Sequence, residues 1–306
     1  MGNLMKKELT TNRCREYLTN FYKRRSIIAL CSGLFTLILS FYAIIAGVIR
    51  TVETLGINGF SSFFYFTMIS NTLAAFSVAF VITYAVDGIK RKIFVLPKWV
   101  AEFNYISATS ITIMLVFVLF FMSWASPYDA FGGSINLILH VFCPTFILLS
   151  FFQIENKYIY SIKDCFIGCL PFFIYIIVYF IEVVLIGEEN GGWKDLYRIQ
   201  EFMSPLLAIP FLLMFGFFIS WLIAIISNYL TKKREERMYL NWKKDINPLE
   251  AKIEAYGLGN MIGQKTNENN MLIPLEILDY LAKKSHTKTE DLIKSYIVGL
   301  TSIQSK

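Results

Sequence analysis

The sequence has little charge: only 17% of its 306 residues are Asp, Glu, Lys or Arg, whereas 55% are hydrophobic. Soluble domains carry about a quarter charged residues, so this composition excludes a water-soluble globular protein for most of the chain. Glycine (17 residues) and proline (8) are scarce while phenylalanine (28) is abundant, which excludes collagen-like and disordered chains. The five cysteines lack the spacing of a secreted disulfide framework.

The motifs of common soluble enzymes are missing as well. The chain has no G-x-S-x-G element, no P-loop and no G-x-G-x-x-G turn, so the corresponding hydrolases, nucleotide triphosphatases and dinucleotide-binding enzymes are not indicated. One histidine (His140) and one glutamate (Glu182) lie inside long apolar segments, which is too few for a three-ligand zinc site. We therefore expect no metal and no other cofactor. The net charge of +6 lies mostly in short stretches between apolar segments, so nucleic acid is not an expected partner.

Six long apolar segments are present, each close to the ~20 helical residues that cross the hydrocarbon core of a bilayer. They run from Ser26 to Ile49, Phe63 to Val86, Phe103 to Trp124, Ser134 to Phe152, Cys165 to Ile186 and Ser204 to Leu230. The first is too long for a signal peptide and no A-x-A-like cleavage site follows it, so we interpret it as a retained anchor. The sequence thus predicts an all-α, multi-pass integral membrane protein with six transmembrane helices.

Lysines and arginines concentrate on one side of these segments. They lie in residues 1–25, around Lys90, at Lys157 and Lys163, and at the start of the tail, whereas the opposite loops carry few of them. Because cytoplasmic loops of membrane proteins carry the excess of these residues, both termini are predicted to be cytoplasmic. The plasma membrane is the predicted location.

Three regions are predicted: a basic cytosolic N-terminal segment (1–25), the six-span transmembrane domain (26–230) and a cytosolic helical tail (231–306). In the tail, Leu272 to Leu278 opens an amphipathic helix, and Thr287 to Glu290 resembles a capping box that opens a second one. The tail is either a module that binds a cytosolic partner or a solvated, loosely packed appendage.

Polar groups within the spans gather at one level. A charge at the centre of a bilayer costs about 2.5–3.5 kcal/mol on insertion scales, so polar groups there need a reason. Counting at ~1.5 Å per residue puts Thr67 about 6 Å, His140 about 9 Å and Glu182 about 6 Å below the outer surface. Tyr42 lies at a comparable level on the first span. The shared level predicts a polar pocket in the outer leaflet.

Helical spacing groups these residues further. Thr67, Ser70 and Asn71 stand at i, i+3 and i+4 and so share a face, and Asn136 and His140 share another. Each face can therefore set a hydroxyl or an imidazole beside an amide that orients it.

A hydroxyl and an imidazole at one depth are the minimum for nucleophilic acyl transfer, in which the imidazole takes the hydroxyl proton. Thr67 is the candidate nucleophile and His140 the candidate base, with Asn136 or Glu182 holding the histidine tautomer. Pro144, one turn after His140, predicts a kink that opens a cavity there. Each of these residues has a structural alternative to a catalytic role. Thr67 can bond to its own backbone, His140 can be a buried packing residue, and the Glu182 side chain can extend to the membrane interface.

Two segments resemble the paired signatures of a known family. They are Phe64-Tyr65-Phe66-Thr67-Met68-Ile69-Ser70-Asn71 and Asn136-Leu137-Ile138-Leu139-His140-Val141-Phe142-Cys143-Pro144. Both are similar to signatures of the six-transmembrane androgen-induced protein family and its bacterial relatives. The outer loop with Gly192-Trp193 and Tyr197 is similar to the Gly-Trp and Tyr-Pro pattern before the last span of that family, although the proline is absent here. The resemblance covers about residues 26 to 230 and not the tail.

The resemblance implies an activity. Characterised animal members are threonine hydrolases that cleave fatty acid esters of hydroxy fatty acids with one intramembrane threonine and one histidine, which match Thr67 and His140. Where some relatives carry an aspartate after the threonine, this chain has Ser70 or Asn71. The expected function is therefore a lipid ester hydrolase that needs no cofactor, with Tyr42, Ser70, Asn71, Asn136 and Glu182 as substrate-binding or orienting residues. The rival hypotheses are a non-catalytic lipid-binding or transport protein and a structural or signalling protein that works through its tail.

Overall fold

The computed structural model describes residues 2–55, 59–91, 94, 96–123, 136–154, 158–195, 197, 199–202, 204–240 and 287–301, together with positions 252, 255, 278 and 282. Every regular element within these residues is helical. The α-helices are α1 (Gly2–Leu55), α2 (Phe66–Arg91), α3 (Lys98–Phe117), α4 (Cys143–Gln153), α5 (Ile162–Phe180), α6 (Ile199–Phe202), α7 (Pro205–Leu240) and α8 (Thr289–Thr301). Three π-helices, π1 (Val118–Met122), π2 (Ile138–Phe142) and π3 (Ile181–Ile186), adjoin α3, α4 and α5.

Among the described residues, five helices are long and apolar enough to cross a membrane, which supports an α-helical, multi-pass membrane protein. They are Lys23–Glu53, Phe66–Lys90, Lys98–Met122, Ile162–Ile186 and Pro205–Arg234. The predicted span from Ser134 to Phe152 corresponds to a shorter apolar helix, Ile138–Gln153, and residues 124–135 lie outside the described part of the chain. The sixth span and the cytoplasmic orientation of the termini stay predictions.

The chain divides into two compact units, and the predicted region boundaries at residues 25/26 and 230/231 stay predictions. The membrane unit consists of Ile28–Thr83 and Lys98–Thr231. The terminal unit consists of Met1–Ile27, Tyr84–Pro97 and Lys232–Lys306. Leu292 and Tyr296 of α8 are almost fully buried in the terminal unit, so this part of the tail is packed rather than loose. Helix α8 begins at Thr289, within the predicted capping box, whereas most of the predicted helix at 272–278 lies outside the described residues.

Helices α2 and α4 run in the same direction because each is antiparallel to α3. Ser77 of α2 donates a hydrogen bond to Asn104 of α3 (3.1 Å), and Phe80, further along α2, packs against Trp99, earlier on α3 (ring centroids 5.0 Å apart). Phe151 near the end of α4 packs against Tyr105 in the first half of α3, and π2 contacts α3 as well. The two helices that carry the family-like motifs are therefore parallel neighbours.

Close backbone approach holds α5 against α3 and α7. The Tyr105 hydroxyl donates to the carbonyl of Ser220 (2.7 Å), and the Ser220 hydroxyl donates to the carbonyl of Cys165 (2.8 Å). Gly168 lies between them: a Cβ there would be 2.5 Å from Cε1 of Tyr105 and 2.6 Å from Oγ of Ser220. Small residues and hydroxyl bonds of this kind replace the hydrophobic effect as the force that holds helices together in lipid.

Candidate functional site

Thr67 is the second residue of α2 and is 5% exposed. Its backbone carbonyl accepts hydrogen bonds from the Ser70 hydroxyl (3.0 Å) and from the Asn71 amide (2.8 Å). The predicted face of Thr67, Ser70 and Asn71 is therefore present. The Ser70 and Asn71 side chains bond to the backbone carbonyl of Thr67 and not to its hydroxyl. Ser70 and Asn71 are fully buried.

An apolar cavity lies beside Thr67, within the membrane unit. Its volume is about 40 Å³, small beside the range of about 300–1,000 Å³ that is usual for ligand sites, and it is partly open. Four of its lining residues carry hydroxyl groups, namely Thr67, Tyr175, Tyr179 and Tyr197. The apolar walls come from α2, α3, π1, α5, α6 and α7: Phe66, Ile113, Met114, Phe117, Val118, Phe172, Ile176, Ile199 and Leu212. All of the surface that these residues present to the cavity is apolar.

The loop between π3 and α7, which the sequence predicts on the outer side and which is named the outer loop here, is tied to the start of α2 by tyrosines. The phenolic oxygen of Tyr197 accepts a hydrogen bond from the backbone N–H of Phe66 (2.9 Å). The Tyr175 hydroxyl donates to the carbonyl of Phe64 (2.7 Å). Burial raises the pKa of Tyr197 to about 12, an effect that its hydrogen bonds with Tyr175, with the Phe66 N–H and with Thr67 partly offset. Tyr197 is therefore a neutral phenol at physiological pH.

Asp195 fixes the loop that carries Tyr197. One carboxylate oxygen accepts from the Tyr179 hydroxyl (2.6 Å) and from the N–H of Ile199 (3.1 Å), and the other accepts from the N–H of Gln200 (3.0 Å). The carboxylate thus caps the first turn of α6, where free N–H groups favour negative charge. The oxygen of Tyr179 also accepts from the N–H of Tyr197 (3.2 Å), which closes the network.

The two motif segments meet at Asn71 and Cys143. The Cys143 thiol donates to the side-chain oxygen of Asn71 (3.2 Å), and both residues are buried. Thr67 lies one helical turn before Asn71, and His140 lies about one turn before Cys143. Because α2 and α4 are parallel, Thr67 and His140 lie at one level, one turn to the same side of this contact.

His140 lies in π2 and makes no direct contact with the cavity. Its Nδ1 is buried and has no hydrogen-bond partner, and within the described residues its ring is neither hydrogen-bonded to Thr67 nor part of the cavity lining. Asn136, one turn earlier, is buried to 1% exposure. The structure thus brings the histidine to the level of the threonine without joining the two side chains.

Glu182 and Tyr42 lie apart from the cavity. Glu182 is in π3, partly exposed, and does not line the cavity. Tyr42 on α1 is 48% exposed.

The π-helices carry two of the candidate residues, since His140 lies in π2 and Glu182 in π3. In π2 the N–H of Cys143 bonds to the carbonyl of Ile138, five residues back. Pro144 explains this geometry, because it has no N–H and its ring crowds the carbonyl of His140. The kink predicted at Pro144 is thus a π-helix. Such insertions are rare and are frequent at functional sites.

The sequence did not predict the hydrogen-bond network of Tyr179, Asp195 and Tyr197. Tyr175 and Tyr179 stand at i and i+4 on an otherwise apolar span, a spacing that places two hydroxyls on one face and was available as a signal. Cys143 gave no comparable signal, because its partner Asn71 lies on another helix, and neither did the bond of Asp195 to Tyr179 of α5.

No known protein family model, curated protein or solved structure matches this chain. The resemblance to the androgen-induced protein family therefore stays a prediction that depends on the two motif segments.

Proposed function

We propose that this protein is an intramembrane ester hydrolase that acts on a lipid ester, with Thr67 as nucleophile and His140 as general base. One observation carries the proposal: Thr67 lines an apolar cavity at the level of a histidine on a parallel neighbouring helix. The family-like motifs name the same two residues. The apolar walls of this cavity suit the acyl chain of a lipid ester, which stays in a hydrocarbon-like environment.

The reaction would proceed by acyl transfer. His140 takes the proton of the Thr67 hydroxyl as the threonine oxygen attacks the ester carbonyl carbon. The tetrahedral intermediate collapses, the alkoxide of the leaving alcohol takes that proton, and an acyl-threonine remains. Water, deprotonated by His140, then attacks the acyl carbon and releases a carboxylic acid and free Thr67. No cofactor enters these steps.

The substrate class is a fatty acid ester of a hydroxy fatty acid or a similar lipid ester. The bilayer is both the surroundings of the enzyme and the source of substrate, which would enter sideways from the outer leaflet of the plasma membrane. Asn71 and Asn136 would orient the reacting groups. A cytosolic partner for residues 231–306 is part of the same proposal.

A second candidate is a non-catalytic lipid-binding or transport protein. It is favoured by the absence of a hydrogen bond between His140 and Thr67 among the described residues. In that case the same cavity holds an amphipathic ligand and releases it unchanged.

The two candidates are separated by covalent labelling of the full-length protein in proteoliposomes with a fluorophosphonate probe. We expect mass spectrometry to find the probe on Thr67. Thr67→Ser should keep labelling because a hydroxyl remains, whereas Thr67→Ala should abolish it. His140→Gln should slow labelling by about 10²-fold or more, since general base catalysis contributes about 10²–10⁴. The matched control is His286→Gln, at the other histidine of the chain.

Labelling that survives Thr67→Ala contradicts the proposal. So does absence of labelling in the wild-type protein while the protein retains a lipid ester that co-purifies unhydrolysed, a result that supports the binding protein.

A further inference from the structure

We propose that Arg50 selects the substrate by binding a free carboxylate of the lipid ester, beside His140. This inference rests on the proposed hydrolase function and narrows it from lipid esters in general to esters that also carry an acid group. A fatty acid ester of a hydroxy fatty acid has such a group, whereas its methyl ester or a triacylglycerol has none.

Arg50 lies near the end of α1, on the face that packs against other helices. Ala43, Ala46 and Gly47 are buried, and they stand seven, four and three residues before Arg50. Residues at these spacings share one face of a helix. Arg50 itself is half-buried, so its side chain belongs to the packed face of α1 and not to the face that meets lipid.

This face of α1 packs on α2, and the two helices are antiparallel. A Cβ at Gly47 would collide with Sδ of Met68, and a Cβ at Gly33 would contact Val78, further along α2. Arg50 is three residues beyond Gly47, about 4.5 Å further along α1 at a rise of about 1.5 Å per residue. Arg50 therefore lies beside the start of α2.

The start of α2 is also where the proposed reaction takes place. Thr67 is the second residue of α2, and His140 lies at its level on the parallel neighbouring helix. The guanidinium of Arg50 lies close enough to His140 for its charge to act on the imidazole. A cation, the proposed base and the proposed nucleophile thus lie at one end of the membrane unit.

Arg50 has no anionic partner among the described residues. No carboxylate there forms an ion pair with it, and Glu53, about one turn later on α1, is exposed. Charged side chains within a membrane span are costly unless they are paired. A guanidinium binds a carboxylate through two parallel N–H···O bonds. A carboxylate on the substrate would neutralise Arg50 and hold the rest of the lipid ester near Thr67 and His140.

The competing explanation is that Arg50 pairs with the phosphate of a neighbouring phospholipid, as long basic side chains near helix ends often do. Phospholipid is present in every vesicle, so that role predicts no preference between a lipid acid and its methyl ester. Two ligands that differ only in this methyl group therefore separate the two explanations.

The experiment measures how well two ligands protect Thr67 from the fluorophosphonate probe, with the full-length protein in phosphatidylcholine proteoliposomes. The ligands are the palmitate ester of hydroxystearic acid and the methyl ester of the same molecule. For the wild type, we expect the acid to protect at a concentration lower by about 10-fold or more, because hydrogen bonds to charged groups are the strong ones.

Arg50→Gln should bring this ratio of concentrations to about 1, since the cation is lost. Arg50→Lys should keep part of the preference, because the charge stays while the two-pronged geometry is lost. Lys194→Gln, at an exposed lysine of the outer loop, is the matched control and should keep the full ratio. Because the ratio is taken within each variant, a partly misfolded sample lowers the total labelling and leaves the ratio unchanged.

Equilibrium binding of the two tritiated ligands gives the same ratio without any reaction at Thr67. A wild-type ratio near 1, or a preference that survives Arg50→Gln, would overturn the carboxylate site and leave the hydrolase intact. If Thr67 is never labelled while the acid is still preferred and Arg50→Gln removes that preference, the hydrolase alone is overturned, and the carboxylate site belongs to a lipid-binding protein.

Discussion

Gly192 lies where the outer loop turns back against π3, and it has no room for a side chain. A Cβ there would collide with the carbonyl oxygen of Glu182 and would be 3.0 Å from the backbone N and O of Gly187. The N–H of Gly192 also donates to the carbonyl of Gly187 (2.9 Å). Because all three neighbours are backbone atoms, they cannot move aside as a side chain does.

We therefore expect Gly192→Ala to shift the outer loop and destabilise the protein by about 1–3 kcal/mol, the usual cost of overpacking. The measurement is the midpoint of thermal unfolding in detergent. Glu189→Ala, at an exposed position of the same loop, is the matched control. An unchanged midpoint for Gly192→Ala would show that the loop does not pack on π3 in this way.

At single residues, the sequence predicted what lies within one helix. The i, i+3, i+4 spacing predicted that Thr67, Ser70 and Asn71 share a face, and both side chains do bond to the Thr67 carbonyl. Tyr197 stands about 130 residues from Phe66, and its hydrogen bond depends on the path of the outer loop, which no periodic pattern encodes. The catalytic roles of Thr67 and His140 stay predictions.

Among the helices, apolar length predicted the five spans because the bilayer sets one length scale for all of them. The sequence did not predict the π-helices. A π-helical turn contains one more residue than an α-helical turn, and this does not change how apolar the segment is. Pro144 marked the position of π2 but was interpreted as a kink in an α-helix. Helix α1 begins at Gly2, well before the first predicted apolar span begins at Ser26, because helical hydrogen bonds do not stop where the apolar stretch begins.

The crossing of α5 with α3 and α7 depends on Gly168. We expect Gly168→Ala to push Tyr105 and Ser220 apart and weaken the two hydrogen bonds that join these helices. The expected loss is about 1–3 kcal/mol, seen as a lower midpoint of thermal unfolding.

Leu170→Ala is the control for this crossing, because Leu170 is 51% exposed and two residues away. If Gly168→Ala and Leu170→Ala lower the midpoint equally, then close approach at Gly168 is not what holds the crossing.

For the whole molecule, six spans require residues 124–135 outside and the tail inside. We predict that an impermeant maleimide added to intact cells labels Gly132→Cys and Glu189→Cys but not Lys163→Cys or Lys288→Cys. Each cysteine is introduced singly into protein that carries Cys14→Ser and Cys31→Ser. Permeabilised cells, in which all four positions should react, provide the control.

External labelling at position 288, or none at 132 when position 189 reacts, would rule out six spans with cytoplasmic termini. The composition of the terminal unit supports this topology. The unit contains residues 1–27, 84–97 and 232–306, and the positive-inside rule predicts all three segments on the cytoplasmic side.

The cavity lining also bears on turnover. Its lining residues in the described part of the chain include no lysine, arginine or histidine, so nothing there neutralises an anion. If the proposed hydrolysis occurs there, a neutral ester costs little to bring between these apolar walls, whereas the fatty acid anion that would form is poorly solvated. Product inhibition by the fatty acid should therefore be weak. Each new carboxylate would move to the lipid headgroups, and the free energy of ester cleavage alone would then drive turnover.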